Sequence, residues 1–171
     1  LITIDLTNDL SSEQIVYVAI GSTVEDSYDN AISNSFAIFT VGDSLPPTVS
    51  IDAVITASIA TNSDITFTFS EPVRNLDDTE ITNLNVGSLI TLKDTDANGT
   101  DLSFTASINS AKTVITIDPT NNFTSGQIIY AAIGATVEDF NNNVIPATSK
   151  TFTAEYLVED LTNPMSDKDF V

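Results

Sequence analysis

The sequence predicts an all-β protein built as an antiparallel β-sandwich, and three observations carry the prediction. Thr, Ile and Val supply 24, 19 and 13 of the 171 residues. Such β-branched side chains pack well on a pleated surface and crowd the preceding turn of a helix. About seven short apolar segments recur at a spacing of roughly 10–15 residues between Pro46 and Ala154, the rhythm of a two-sheet sandwich. No window repeats its apolar residues at the helical period of 3.6. A small barrel is the alternative that the same rhythm allows.

The elements follow in order. Pro46-Pro47, after Gly42-Asp43-Ser44, reads as a stiff extended linker. Val49-Ser50-Ile51 opens the first strand. Ile65-Thr66-Phe67-Thr68-Phe69 alternates strictly, so Ile65, Phe67 and Phe69 are expected to face the core. Leu89–Leu92 is a short strand that leads into Asp96-Ala97-Asn98-Gly99, where Asn-Gly suits the positive φ of a tight hairpin. Leu102, Phe104, Ala106 and Ile108 alternate with Ser and Thr, giving one dry and one wet face. Val114–Ile117, Gln127–Thr136 and Lys150–Ala154 complete the strands.

The chain also repeats itself. IVYVAIGSTVED (15–26) returns as IIYAAIGATVED (128–139), an offset of 113, and 21 of the first 40 positions are identical at that offset. A tandem duplication with a period of about 113 residues is the expectation. It divides the chain into 1–45, the C-terminal part of one repeat; 46–154, a complete repeat; and 155–171, a linker or the start of the next. Leu1 aligns with Val114, inside a strand, so the chain is expected to be a piece of a longer polypeptide. Residues 1–45 then hold only the last strands of a sandwich, Ile2–Leu6, Ile15–Val24 and Phe36–Val41. Their missing neighbours are expected from an upstream part of the same chain or from a neighbouring subunit.

Composition excludes several function classes. Net charge is −19, from 24 acidic and 5 basic residues, which opposes binding to nucleic acid and to anionic membrane surfaces. His, Cys and Trp are all absent. Zinc–thiolate sites, iron–sulfur clusters, disulfide frameworks and His-dependent nucleophilic catalysis therefore drop out. No apolar run approaches the ~20 residues that span a bilayer, and an apolar fraction of 42% is ample for a packed core. No G-x-S-x-G and no phosphate-cradling glycine loop occurs, so the chain is not expected to be an enzyme.

The order of ITFTFSEPV (65–73), TLKDTDANGTDLSFTASI (91–108), TVITIDPTNNFTSGQIIYAAIGATVEDFNNN (113–143) and TFT (151–153) resembles the bacterial Ig-like repeats of surface-layer proteins and large adhesins. Phe123 and Gly126 match the L-x-x-G part of the L-x-x-G-x-x-Y approach to a strand, with Tyr130 one residue beyond its Tyr position, and Asp139 opens the D-x-x-G-N turn. Asn142 stands where that turn usually has Gly, and Glu13 replaces the equivalent of Gly126 in the partial copy. The resemblance implies an Ig-like antiparallel sandwich and structural work at the cell surface, and it names no ligand.

Two acidic sets are candidate cation sites. Asp94, Asp96, Asn98 and Asp101 have the D-x-D-x-N-G spacing that begins a calcium loop, with oxygens at alternate residues. The bidentate acid of an EF-hand is replaced by Thr105, and the same residues also make an Asx-rich hairpin turn without any ion. Glu25, Asp26 and Asp29, and in the complete copy Glu138 and Asp139, could meet linker carboxylates such as Asp43 or Asp160 at a junction stiffened by calcium. A solvated acidic rim is the other reading. Calcium is the one cofactor that the sequence suggests. Lys112 and Lys150 are read as surface residues rather than crosslinking ones, and Asn98-Gly-Thr100 and Asn122-Phe-Thr124 are glycosylation acceptor patterns.

The expected function is a structural spacer repeat of an extracellular filament, sheath, surface layer or long adhesin. Its expected partners are other copies of itself or neighbouring repeats. An adhesive module that recognises glycan or protein through its end loops is the alternative.

Overall fold

The structure, a computed structural model, describes residues 2–53 and 58–155. It divides into an amino-terminal unit, Leu1–Leu45, and a second unit that begins at Pro46. Among the described residues the elements are β-strands and a single 3-10 turn. The protein is all-β.

In the second unit, β3 (Val49–Ala53), β5 (Ile65–Phe69), β8 (Phe104–Ile108) and β9 (Val114–Pro119) form one sheet in the order β3-β5-β9-β8. All its pairings are antiparallel. The other sheet has the order β4-β12-β10-β7, from β4 (Ser58–Ala60), β7 (Ile90–Asp94), β10 (Ile128–Ile133) and β12 (Thr148–Glu155). In this sheet β4 runs parallel to β12, and the other pairs are antiparallel. A two-residue ribbon, β6 (Arg74–Asn75) with β11 (Val137–Glu138), stands apart from both. Alternation decides the faces. Ile65, Phe67, Ile115 and Ile117 from one sheet join Leu92, Ile129, Ile133 and Phe152 from the other in one buried cluster. Two inner faces meeting in this way are the Ig-like antiparallel sandwich.

Several sequence expectations are corrected in detail. The apolar stretch Gln127–Thr136 is not one strand. It breaks after Ile133, and the chain re-pairs at Val137 with β6. Leu89 closes a 3-10 turn (Val86–Leu89) instead of opening a strand. Gly99 has no positive φ; Thr95 takes that conformation at 72°. Glycine is required at 99 for a different reason, because a Cβ there would lie 1.5 Å from the Asp94 carbonyl oxygen. The strands β4 and β6 fall in stretches that carry too little alternation to announce them.

In the amino-terminal unit, β1 (Ile15–Ile20) and β2 (Ser35–Thr40) form an antiparallel hairpin from Ile15↔Thr40 to Ile20↔Ser35. Its register is that of β10 with β12 moved by 113, as Ile128↔Thr153 shows. The smaller features coincide as well. Ser11 N–H donates to Gln14 Oε1 and Thr124 N–H to Gln127 Oε1, each at 2.8 Å. Glu13, in the glycine position of the partial copy, takes φ 58° where Gly126 takes 82°. Ile2–Leu6 was expected to be a strand and forms none. The corresponding strand β9 is held between β5 and β8, and this unit contains neither neighbour.

Candidate functional site

The most heavily built polar region of the second unit is the turn that follows β11. Asp139 is 1% exposed and Glu138 5%, although both are acids. A carboxylate taken out of water must be matched by donors or a cation, and both are. Asp139 Oδ1 accepts from the backbone N–H of Asn141 at 2.7 Å and of Asn143 at 2.9 Å. Its Oδ2 accepts from Asn143 Nδ2 at 2.8 Å. Asn142 supplies the left-handed residue that this wrap needs, at φ 68°.

Glu138 is matched by charge. Arg74 Nε donates to Glu138 Oε1 at 3.2 Å, across the β6–β11 ribbon. The same guanidinium reaches Asp78 Oδ1 at 2.6 Å and Asn142 Oδ1 at 3.0 Å. It lies 5.4 Å from the centre of the Phe140 ring, in cation–π range. Arg74 thus ties β6, its following loop and the 139–143 turn into one knot. A carboxylate oxygen of Glu71 lies within 4.8 Å of one of Asp139.

The amino-terminal unit repeats the turn in the open. Asp26 accepts from Tyr28 N–H at 2.8 Å, Asn30 N–H at 3.0 Å and Asn30 Nδ2. The Asn30 side-chain hydrogen bond, followed by the two backbone donors, holds the Asp26 carboxyl below its ordinary value of 3.8. A lowered folded-state value means that these bonds contribute stability above the unfolded pKa. That contribution is lost as pH falls through the folded one. Glu25 and Asp29 are exposed at the same tip, Asp29 with φ 62°. Asp43 is engaged inside its own unit, accepting from Ser12 Oγ at 2.7 Å and from Leu45 N–H at 3.0 Å. Asp160 lies outside the described residues.

The D-x-D-x-N-G loop is built as a turn. Asp94 Oδ1 accepts from Gln127 Nε2 at 3.1 Å, and Asp96 Oδ1 accepts from Asn98 N–H at 2.8 Å, an Asx turn. Asp101 pairs with Lys93 Nζ at 2.8 Å, and Lys93 also donates to the Gly99 carbonyl at 3.2 Å. A cation belonging to the chain therefore sits against this loop. The structure does not bring Asp94, Asp96 and Asp101 to within 4.8 Å of one another, and within the second unit no three described carboxylates converge so closely. Removal of the Asx bond in Asp96→Ala is expected to cost about 1 kcal/mol. The same loss is expected in millimolar Ca²⁺ and in EGTA. A melting temperature that rises with Ca²⁺, and ceases to rise in Asp96→Ala, would instead place an ion in the loop.

Both lysines pair with exposed acids. Lys150 is half-exposed, 3.3 Å from Asp52 Oδ1 and 5.2 Å from the Phe152 ring centre. Lys112 reaches Glu80 at 2.7 Å and the Ile81 carbonyl at 2.9 Å. Asn98 and Asn122 are both exposed.

Residues 43–154 match the family described as the bacterial Ig-like domain. The chain belongs to the bacterial Ig-like domain family. The match spans the sandwich, the Arg74 knot and the D-x-D-x-N-G loop together. No curated protein matches the chain. The bacterial Ig-like domain is a non-catalytic domain family, typical of surface and extracellular proteins. No helix among the described residues is long and apolar enough to cross a membrane.

Arg74 is the residue that sequence reasoning missed. Its partner Glu138 is 64 residues away, and nothing local marks the pair. One signal was present: Val-Glu-Asp is kept in both copies of the turn while the next three residues all change.

Proposed function

We propose that this bacterial Ig-like chain is a structural spacer of an extracellular array, such as a filament, sheath, surface layer or long adhesin, extended by strand and domain contacts. One observation carries the reading. The best-made polar site of the sandwich spends its acids on its own turn and on Arg74, so its chemistry holds shape. The comparison between copies points the same way. VEDSYDN (24–30) and VEDFNNN (137–143) differ at three of seven positions, no more than the strands around them, whereas recognition loops diverge faster than their framework. The high negative charge keeps neighbouring arrays soluble and apart.

A binding module for glycan or protein is the rival, and the exposed Leu84 and Phe140 are the side chains it would use. The test joins two measurements on the whole chain. Antibodies against it are expected to label intact, unpermeabilised producing cells, and a glycan array is expected to show no saturable binding. Failure to label intact cells would overturn the extracellular location. A saturable glycan signal lost on Phe140→Ser would establish the binding module in place of the spacer.

A further inference from the structure

The amino-terminal unit carries an apolar face that nothing within it covers. Ile2 is 66% exposed, whereas its counterpart Ile115 is fully buried; Phe39 is 47% exposed, against 2% for Phe152. Ile2, Ile4, Val18, Ile20, Val24 and Phe36 line an open cavity of about 390 Å³. The main chain is unfinished as well. β10 has β12 on one side and β7 on the other. The equivalent β1 pairs with β2 alone. A hairpin with one wide apolar face and an open edge is marginal in water.

The second unit shows what fits such a face. There the counterparts Ile115, Ile117, Ala131, Ile133 and Val137 are buried in one cluster with apolar residues of the stretch between Pro46 and Lys112. Ile65 and Phe67 come from β5, beside β9, and Ile90 and Leu92 from β7, beside β10, with Val73 and Ile81 in the same cluster. We propose that the open face of the amino-terminal unit is a receptor for one additional β segment with the pattern of residues 46–112. Its β5-like strand would be laid against Ile2–Asp5 and its β7-like strand along β1. The inference goes beyond the spacer reading and does not depend on what the array contacts.

Pairing selects the occupant. Among the described residues the stretch 46–112 is already packed with the receiving half 114–154, and a second copy that lent it would uncover its own Ile129, Ile133 and Phe152. The donor is therefore a separate segment of the same pattern. In the second unit it runs into its receiver through the turn at Asn109–Thr113, where Lys112 N–H donates to the Asn109 carbonyl at 3.1 Å and Thr113 N–H to Asn109 Oδ1 at 2.8 Å. Attachment immediately before Leu1 reproduces that turn.

The experiment places a duplicate of residues 46–113 directly ahead of Leu1–Val171 and follows backbone hydrogen exchange. Amides of Ile15–Ile20 and Ser35–Thr40 are expected to slow by about tenfold or more relative to Leu1–Val171 alone, approaching those of Ile128–Ile133. A duplicate bearing Phe67→Asp and Leu92→Asp should fail to slow them, while the native second unit in the same molecule reports that the rest of the protein is folded. Equal exchange with and without the duplicate would overturn the proposal. So would strong protection of β1 and β2 in Leu1–Val171 alone. In that case sedimentation would say whether a monomer folds unaided or a second copy supplies the strands after all.

Discussion

Arg74→Met is expected to lower the stability of the second unit by about 3–5 kcal/mol, because it strands Glu138 as an uncompensated buried charge. The magnitude comes from desolvation more than from the ion pair itself. Arg74→Met combined with Glu138→Gln should consequently recover most of the loss, since the double change removes the orphaned charge as well as its partner. Urea midpoints at neutral pH read both variants. A single-mutant loss below about 1 kcal/mol would mean that water reaches Glu138 and that the knot is ornamental.

Asp139→Ala is expected to destabilise by about 3 kcal/mol, since it removes the acceptor of two backbone N–H groups and one side-chain amide in a buried turn. Asp139→Asn keeps an acceptor and should lose less. The partial copy supplies an internal control, because Asp26 makes the same bonds in solvent. Asp26→Ala should leave the unfolding midpoint of the second unit unchanged and alter only exchange at Tyr28 and Asn30. Equal global effects at both positions would show that burial is not what gives the Asp139 bonds their weight.

How far the fold could be read in advance depended on whether burial left a local mark. Ile65–Phe69 was legible because one face of its strand is dry and the other is not, so the letters alternate. The interval from Ser70 to Leu89 was not legible: it is organised by distant partners, with Arg74 opposite Glu138 and the Val73 N–H donating to the Lys112 carbonyl. Gln127–Thr136 misled for the opposite reason. Its apolar run continues through Gly134 although the chain changes partner there, because Ile133 before the break and Val137 after it are buried in the same core. The positive φ expected of Asn98-Gly99 is absent, and the glycine answers a different need, since a steric approach to a carbonyl leaves the same letter as a left-handed turn. The acids of the 139–143 turn stood out in the sequence. Their cation did not, because a lone Arg in an acidic chain looks like any surface charge until the ribbon brings it across.

The pairing of β4 with β12 has a mechanical meaning. The first of these strands lies near the start of the sandwich and the second at its end, and they run parallel as Ser58↔Thr153, Ile59↔Ala154 and Ala60↔Glu155. Tension applied to the chain on either side of the sandwich drags β4 towards the amino terminus and β12 towards the carboxyl terminus, along a common axis. The hydrogen bonds between them are then sheared together, where a hairpin pulled at its open end would surrender them one at a time. Under load the domain resists as a lap joint does, with its grip set by the length of the overlap.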